Sequence, residues 1–420
     1  MPVSNRRASD RKVPSVPTTF NDVQTGDLCS GCGGCAAMLP GAIKMQMRDP
    51  GLLRPELTRA LTQAEGDQVK TICPGAGQDL PQKATDLFGP LHSLHKGHAS
   101  DDNIRHPSAS GGALSAVLVH LLESSQVDGV VHVGADPDHP LRNRSYVSGT
   151  RAQVIARASS RYAPSSPLDQ VRALLGDGRT YAFVGKPCDV SALAAWRDLD
   201  PEVAKSFPVL LSFLCAGVPS LKGAAQVAQA VGVPPNRLTK FAYRGPGWPG
   251  DAIAVGDDGQ TGRMSYADSW GGILSKHVQH RCKLCVDGVG MFADLAFGDV
   301  WDAGADGYPS FTDRPGQSAI LVRSQAGARI ISEAQVAGLL HTEPLARDTL
   351  AAMQPGQMRR RQAVLARLAG IWVTGRARPE FRGFGLWGAA IKAPPLALVR
   401  NFVGMARRAM ALPRKGRRVC

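Results

Sequence analysis

The chain has 420 residues, of which 43% are hydrophobic and 20% are charged, so it can bury a core and is not intrinsically disordered. No apolar run reaches the roughly 18 residues of a membrane span, and the first residues lack the apolar stretch of a secretory signal, so we expect a cytoplasmic protein. The net charge of +14 belongs to the segment from Arg359 onward, where 15 Lys or Arg accompany one acid, Glu380, which excludes a basic surface spread over the whole chain.

Five segments follow one another along the chain. Residues 1–20 are polar, and we expect them to be mobile. Residues 21–90 are interrupted by Gly and Pro, have cysteines at both ends, and offer so little core that a metal cluster would have to hold them. Residues 91–180 and 181–345 carry the two parts of a predicted α/β domain, and residues 346–420 form a basic helical tail.

Hydrophobic periodicity predicts the elements of the α/β domain. Helices are predicted at residues 113–123, 167–175, 221–231 and 396–410, and strands at residues 127–133, 181–184, 207–214, 240–243, 294–297 and 319–323. The near-continuous apolar run at residues 207–214 is typical of a strand that is buried on both faces. We therefore predict an α/β core with a mixed or parallel sheet.

Three cysteines form a C-x2-C-x2-C run, Cys29, Cys32 and Cys35. Such a run wraps thiolates around one corner of an iron–sulfur cluster, whereas zinc sites usually present two cysteines per knuckle. The fourth cysteine of a ferredoxin run would fall at Leu39, so Cys73, in a Cys-Pro step, is the alternative fourth ligand. The pattern favours a small ferredoxin-like 4Fe-4S segment, with a zinc or structural role as the alternative.

The remaining cysteines are dispersed. Cys282 and Cys285 form a C-x2-C knuckle, while Cys188 and Cys215 follow predicted strands. Open α/β sheets build their sites at the carboxyl ends of the strands, so these four thiolates would meet if the strand ends converge with the knuckle. Cysteine is also a common small buried residue, which leaves a structural role open for Cys188 and Cys215. Cys420 belongs to neither set.

Five strings in this order resemble the coenzyme F(420) hydrogenase/dehydrogenase beta subunit family: SASGGALSAVLVHLLES, VGKPCDVSAL, FLCAGVPS, YRGPGWPG and CKLCVDGVGMFADLAFGDVW. The plant 7-hydroxymethyl chlorophyll a reductase and the ferredoxin-dependent divinyl chlorophyllide reductase are members. The resemblance covers about residues 27–323 and implies FAD and two 4Fe-4S clusters. It implies as cluster ligands the first set, Cys29, Cys32, Cys35 and Cys73, and the second set, Cys188, Cys215, Cys282 and Cys285.

The SASGG string before a predicted helix suits a phosphate, because its glycines permit close backbone approach and a helix N-terminus offers unpaired N–H groups. Most such strings are plain helix caps, and it is the family resemblance that puts this one near a flavin. Two basic residues could oppose the pyrophosphate or the flavin ring, or could be solvated surface charges. The predicted FAD-binding residues are Ser108, Ser110, Gly111, Gly112, Arg161 and Lys186.

Other candidates carry less specific signals. His92, His95 and His98 recur at a spacing of three, which drifts around a helix face, so a metal site there is disfavoured and His98 near the flavin is an alternative. Tyr243 and Arg244, together with Trp248, could stack on a flat ligand or pack in a core. Asp299 follows a predicted strand. It could be a proton donor or acceptor, or an ordinary cap. No catalytic residue is assigned.

The sequence thus predicts an iron–sulfur flavoprotein oxidoreductase that passes electrons from ferredoxin, or from a reduced deazaflavin, through two 4Fe-4S clusters to FAD and on to an organic substrate that it does not identify. The second hypothesis is an electron-relay beta subunit of a larger hydrogenase, dehydrogenase or polysaccharide-modifying system, without its own substrate. The third is a zinc-stabilised interaction protein.

The basic tail has its own alternatives. It suits an anionic membrane surface at the inner leaflet, an acidic redox partner such as ferredoxin, or no partner at all. Nucleic acid ranks last, because the rest of the chain lacks a basic stripe.

Overall fold

The structure, a computed structural model, describes residues 20–301 and 315–412. The N-terminal segment that we expect to be mobile lies outside the described residues, apart from Phe20, and so does Cys420. None of the helices in the described ranges combines the length and the apolar composition that crossing a bilayer requires.

The strands of the described residues are β1 (Ile43–Arg48), β2 (Leu52–Leu57), β3 (Gly77–Asp79), β4 (Ser93–Ala99), β5 (Gly129–Ala135), β6 (Asn143–Ser148), β7 (Tyr181–Gly185), β8 (Val209–Phe213), β9 (Leu238–Ala242), β10 (Ala252–Gly256), β11 (Thr261–Met264), β12 (Leu295–Asp299), β13 (Ser318–Val322), β14 (Leu340–Pro344) and β15 (Glu380–Arg382).

The α-helices are α1 (Phe20–Thr25), α2 (Gly34–Met38), α3 (Gln63–Ile72), α4 (Asp102–Arg105), α5 (Ala113–Glu123), α6 (Arg151–Ala156), α7 (Val171–Leu174), α8 (Pro187–Leu199), α9 (Pro201–Ser206), α10 (Leu221–Ala230), α11 (His280–Lys283), α12 (Gln325–Val336), α13 (Arg347–Met353), α14 (Pro355–Trp372), α15 (Leu386–Ala390) and α16 (Pro395–Ala411). Short 3-10 turns lie at Pro167–Gln170, Pro235–Arg237 and Leu274–His277, and a π-helical segment lies at Ala267–Ile273.

A mixed sheet of eight strands forms the centre of the molecule, in the order β14-β4-β13-β12-β8-β7-β5-β6. The four strands β12, β8, β7 and β5 are parallel, and antiparallel strands complete both edges. The sheet takes strands from residues 91–180 and from residues 181–345, and it confirms the predicted α/β fold with a mixed sheet.

Helices cover both faces of this sheet. Every residue of β7 and β13 is buried, as expected for strands that pack against helices on both sides. On one face α5 packs with Val184, Leu211 and Ile320. On the other face α8 packs with Tyr181 and Phe183. The central strands therefore carry nearly continuous apolar runs because helices bury both of their faces.

The N-terminal cysteine segment shares its core with other parts of the chain. Ile72, at the end of α3, packs with Trp196 of α8, and Leu28 belongs to the same apolar cluster as Ile371 and Met405 of the C-terminal tail. In addition, β15 pairs in parallel with β3, so the tail is hydrogen-bonded to this segment. The segment has little core of its own, and the rest of the chain anchors it.

The histidine-containing stretch is a strand, β4, and our helical interpretation of it was wrong. Successive side chains of a strand point to opposite faces, so a spacing of three places His95 and His98 on different sides of the sheet. His98 lies against the ring of His341, with centroids 5.2 Å apart, and His95 bonds to Ser93. These contacts are those of a strand in the middle of a sheet.

Candidate functional site

A cavity of about 310 Å³ lies at the carboxyl ends of the parallel strands. Its walls include Lys186 after β7, Cys215 after β8 and Asp299 at the end of β12, together with the first turn of α5. The carboxyl ends of parallel strands are where open α/β sheets bind ligands, and the volume lies at the lower end of the range for small-molecule sites.

The first turn of α5 meets the cavity with its backbone. Gly112 precedes the helix with φ +73°, and no side chain caps the free N–H groups of the turn. At Gly111 a Cβ would lie only 2.7 Å from the carbonyl oxygen of Gly97, so the close approach of the two chains requires glycine. Uncapped N–H groups at the start of an eleven-residue helix are suited to an anion.

The two serines of the string are used by the fold. The hydroxyl of Ser108 donates to the carbonyl of Ile104 at 2.6 Å, and that of Ser110 donates to the carbonyl of Gln317 at 2.9 Å. Both serines line the cavity, but their hydroxyl protons are directed into the protein. Backbone N–H groups are therefore the donors that this end of the cavity offers.

Lys186 lies in the cavity wall as half of a buried ion pair. Its ammonium is 2.7 Å from the carboxylate of Asp189 and 3.0 Å from the hydroxyl of Ser165. Burial lowers the pKa of Lys186, but the charge and hydrogen bond of Asp189, together with the charges of Cys188 and Cys215, raise the pKa overall. Lys186 therefore stays charged, and Asp189 neutralises it locally.

Arg161 also lines the cavity, but protein acceptors occupy its guanidinium. It donates to the carbonyl of Phe241 at 2.7 Å, to the side chain of Asn143 at 3.0 Å, and to the backbone carbonyls of Pro140 and Arg142. These hydrogen bonds leave few N–H groups of Arg161 for a phosphate. They link loops of the cavity wall to one another.

Arg244 is the cavity residue with unused hydrogen-bonding capacity. Its Nη1 lies 3.0 Å from the carboxylate of Asp299, while its buried Nη2 has no hydrogen-bond partner among the described residues. The guanidinium carbon lies 5.1 Å from the ring centre of Tyr266 and 5.8 Å from that of Trp301. An unsatisfied buried donor costs about 1–3 kcal/mol, so this arrangement points to a ligand acceptor beside an aromatic wall.

The first cysteine set gathers where α2 begins and α3 ends. Burial raises the pKa of Cys29 to about 11, and the pKa of Cys35 is raised by burial and by the charges of Cys29, Cys32 and Cys73. Backbone N–H groups point at the sulfurs, for example from Gly31 to Cys29 at 3.3 Å. Such donors stabilise thiolates, which are the ligand form of cysteine.

The second cysteine set brings together three separate parts of the chain. Burial raises the pKa of Cys215 to about 12, and neighbouring charges of Cys282 and Cys285 contribute to the rise. Cys188, at the start of α8, feels the charges of Cys215 and Cys282. The N–H group of Val218 donates to the sulfur of Cys282 at 3.4 Å. The strand ends and the knuckle therefore lie together.

The convergence of the side chains in the described residues bears on the choice of metal. Across residues 20–301 and 315–412, no three His, Cys, Asp or Glu side chains converge tightly enough for a single metal ion. Zinc binds thiolates at about 2.3 Å, which would bring four sulfurs close together. An iron–sulfur cluster is larger than one ion, because several irons and sulfides lie between its cysteine ligands.

Three buried polar side chains connect the two sets, and the sequence did not reveal them. Gln279 donates to the carbonyl of Ser30 at 3.3 Å and lies 3.6 Å from the sulfur of Cys282. Asp189 lies 4.0 Å from the sulfur of Cys188, and its charge raises the pKa of Cys32. These contacts place the sets side by side.

Arg281 is the third connection. It donates to the carbonyl of Pro74 at 2.7 Å. Burial raises the pKa of both Cys73 and Cys285, and the charge of Arg281 offsets part of that rise. A single cation is thus within electrostatic reach of a cysteine from each set. Lone polar residues beside a knuckle have no spacing pattern, so only the structure could find them.

The basic tail holds the second set in place through α14. Gln357 and Arg360 each donate to the carbonyl of Cys215 at 3.0 Å, and Arg367 donates to the carbonyl of Lys283 at 2.6 Å. Part of the tail's positive charge is therefore used inside the molecule, on the loops that carry cysteines.

Two family models match the chain. The model of the N-terminal part of the coenzyme F(420) hydrogenase/dehydrogenase beta subunit matches residues 94–172, and the model of the C terminus of the same protein matches residues 178–348. Together they cover more than half of the chain.

Similar proteins come from methanogenic archaea. The coenzyme F(420) hydrogenase subunit beta of Methanococcus voltae is 24% identical over 269 residues, which are 61% of this chain and 85% of that protein. The coenzyme F(420)-dependent sulfite reductase of Methanocaldococcus jannaschii is 23% identical over 327 residues, which are 74% of this chain but only 46% of that protein.

A solved structure shares the fold. It is a chain of the F(420)-reducing nickel–iron hydrogenase complex from Methanosarcina barkeri, with a TM-score of 0.53 and 20% identity, covering 68% of this chain and 95% of that one. The family resemblance seen in the sequence motifs is thereby confirmed: the chain belongs to the coenzyme F(420) hydrogenase/dehydrogenase beta subunit family, a family of oxidoreductases.

Proposed function

We propose that the protein is an iron–sulfur flavoprotein that transfers electrons between a redox partner and an organic substrate. The observation that carries the proposal is the succession of the first cysteine set, the second cysteine set and the cavity, with Cys215 belonging to the second set and to the cavity wall. Electrons would enter from ferredoxin or a reduced deazaflavin and leave at the cavity.

The donor chemistry of both sets fits 4Fe-4S clusters. Eight thiols in two groups of four match the ligand count, and backbone N–H groups aimed at the sulfurs, such as those of Gly31 and Val218, would offset cluster charge. When bound, such clusters accept and pass on single electrons. The protein contributes a buried environment and, between the sets, the cation of Arg281.

The cavity fits FAD in its chemistry. The uncapped first turn of α5 would hold the pyrophosphate through backbone N–H groups, and Gly111 keeps this turn in place by its close packing against Gly97. The unpaired Nη2 of Arg244 would donate to an oxygen of the flavin or of a substrate beside Tyr266 and Trp301. A bound flavin exchanges either one electron or a hydride, which links clusters to organic substrates.

A relay role is the second candidate, and the fold comparison favours it specifically. The similar solved chain is part of a multi-subunit hydrogenase complex. In that case partner subunits would supply or take the electrons, and the cavity would hold a cofactor but no substrate of its own.

Anaerobic purification followed by iron, sulfide and flavin analysis tests the cofactor content. We expect about eight irons and one FAD per chain, because each four-cysteine set would hold one 4Fe-4S cluster and the cavity at the carboxyl ends of the parallel strands would hold one flavin. A colourless protein with bound zinc would contradict the proposal. Reduction of the purified chain and addition of candidate acceptors then distinguishes the two roles, because a relay turns over nothing unaided.

The FAD assignment has a separate test in Gly111→Ala. The new methyl group would collide with the carbonyl of Gly97, so the variant should lose FAD while its iron content is unchanged. Gly388→Ala, where a Cβ meets nothing within 4 Å, is the matched control and should retain both cofactors. Full FAD retention by Gly111→Ala would contradict the proposed phosphate position.

A further inference from the structure

The C-terminal helix α16 is fixed in the molecule by one face. Met405 and Ala409 are buried on this face, and it contacts α14 so closely that a Cβ at Gly370 would lie 2.5 Å from the carbonyl oxygen of Phe402. Arg367 of α14 also donates to the side chain of Asn401 at 2.9 Å. The orientation of α16 about its axis is therefore determined by packing.

The opposite face of α16 is apolar and exposed. Leu396, Val399, Val403 and Met410 fall within about 60° of arc on a helix of 3.6 residues per turn. Their exposed fractions range from 38% to 71%. Single exposed apolar residues are ordinary, but a contiguous stripe marks an interaction surface.

Two further exposed apolar residues precede this stripe. Trp387, in α15, is 78% exposed, and Ile391, directly after α15, is 79% exposed. We refer to the four residues of the α16 stripe, Leu396, Val399, Val403 and Met410, as the apolar face. They lie beyond residue 348, where the match to the family model ends, so they are outside the domain that the family shares.

The charge around the apolar face has one sign. Lys392, Arg400, Arg407 and Arg408 are exposed, and the sequence has no acidic residue after Glu380. On α16, Arg400 and Arg407 border the apolar stripe. An exposed helix with apolar and basic residues but no acid is the pattern of an interfacial helix.

We propose that the apolar face docks the protein onto an anionic lipid surface. The apolar side chains would enter the boundary between headgroups and acyl chains, and the arginines at its edge would bind lipid phosphates. The uniform positive charge argues for this occupant over a second copy of the chain, because two such faces would repel each other. The inference goes beyond the proposed redox function and does not depend on cofactor content.

Vesicle co-sedimentation with the full-length protein tests the proposal. We expect binding to vesicles of phosphatidylcholine mixed with phosphatidylglycerol, weak binding to phosphatidylcholine alone, and release at high salt. The double variant Arg400→Gln/Arg407→Gln should bind about thirtyfold more weakly, since each basic residue near an anionic surface contributes about 1 kcal/mol. Val399→Gln/Val403→Gln should also weaken binding, because it removes apolar area from the stripe.

A matched control lies on α12, where Arg329 and Val336 are both exposed. Arg329→Gln/Val336→Gln should bind the mixed vesicles like the unaltered protein. Equal binding to neutral vesicles, no binding to mixed ones, or an equal loss in the control variant would overturn the proposal. A concentration-dependent dimer in the absence of lipid that Val399→Gln abolishes would assign the face to a second copy instead.

Discussion

Arg281 shows how a single residue can act on both cysteine sets at once. It is 2% exposed, and its charge reaches Cys73 and Cys285. A buried cation favours the more negative, reduced state of a nearby cluster. Arg281→Gln should therefore lower the midpoint potentials of both proposed clusters by tens of millivolts, where ~59 mV corresponds to a tenfold change in a one-electron equilibrium.

Redox titration followed by electron paramagnetic resonance measures these potentials. Arg281→Lys, which keeps the charge but loses the two-donor contact with Pro74, should shift them less. Unchanged potentials in Arg281→Gln, with iron content intact, would show that the cation has no electrostatic role between the sets.

His132 makes a pH-dependent contribution to stability. Burial, with a smaller contribution from Arg157, lowers its pKa to about 4, and its ring lies 2.7 Å from the hydroxyl of Ser148. The unfolded chain takes up this proton near pH 6.5, so the contribution is complete above about pH 6.5 and is lost as the pH falls toward about 4. The loss amounts to at most about 3 kcal/mol, from 1.36 kcal/mol per pKa unit.

Urea unfolding at about pH 7.5 and about pH 5 tests this contribution. The difference in unfolding free energy between the two pH values should shrink in His132→Gln. His341→Gln, an exposed histidine, should leave the difference unchanged. An unchanged difference in His132→Gln would assign the acid sensitivity to other groups.

At the residue level the sequence revealed those groups that repeat at a fixed spacing. The run from Cys29 to Cys35 and the glycines before α5 could be singled out as candidates because the cluster and phosphate sites predicted there would constrain residue type and spacing together. Arg161 and Lys186 were located at the cavity, yet their protein partners could not be foreseen. A partner of Arg161, Phe241, lies far away in sequence. The partner of Lys186, Asp189, is brought into contact by the first turn of α8.

At the level of elements, the contact between α14 and α16 depends on a glycine. A Cβ at Gly370 would strike the backbone of α16, so Gly370→Ala should force the helices apart and lower stability by about 1–3 kcal/mol, as overpacking does. Gly404→Ala, in α16, meets nothing within 4 Å and should raise stability by about 0.5–1 kcal/mol through helix propensity. Thermal unfolding distinguishes the two, and equal midpoints would contradict close packing at Gly370.

The elements that the sequence predicted well are those with one environment along their length. The strands β7, β8 and β13 are buried almost throughout, and α5 was predicted with its observed limits. In contrast, β4 carries polar and charged residues between antiparallel neighbours, so its pattern did not resemble a strand. No helix was predicted at α8, although its first residue, Pro187, is of the type favoured in the first turn of a helix.

At the level of the whole molecule, the two cysteine sets should load separately. Cys282→Ala should remove about half of the iron and leave the spectrum of the first set intact, because the ligands of that set lie elsewhere in the chain. Cys73→Ala should do the converse, and Cys420→Ala should leave the iron content unchanged. Loss of both spectra in either variant would mean that the sets form a single cooperative site.

The parallel pairing of β3 with β15 has a consequence for biosynthesis. Residues 77–79 and residues 380–382 are separated by some three hundred positions, yet they hydrogen-bond directly beside Cys73. A ribosome releases the former long before it makes the latter, so the nascent N-terminal segment waits without its closing strand. If the first set holds a cluster as proposed, iron delivered during translation would meet ligands that lack this neighbouring strand, so we expect cluster assembly to follow synthesis of residues 380–382.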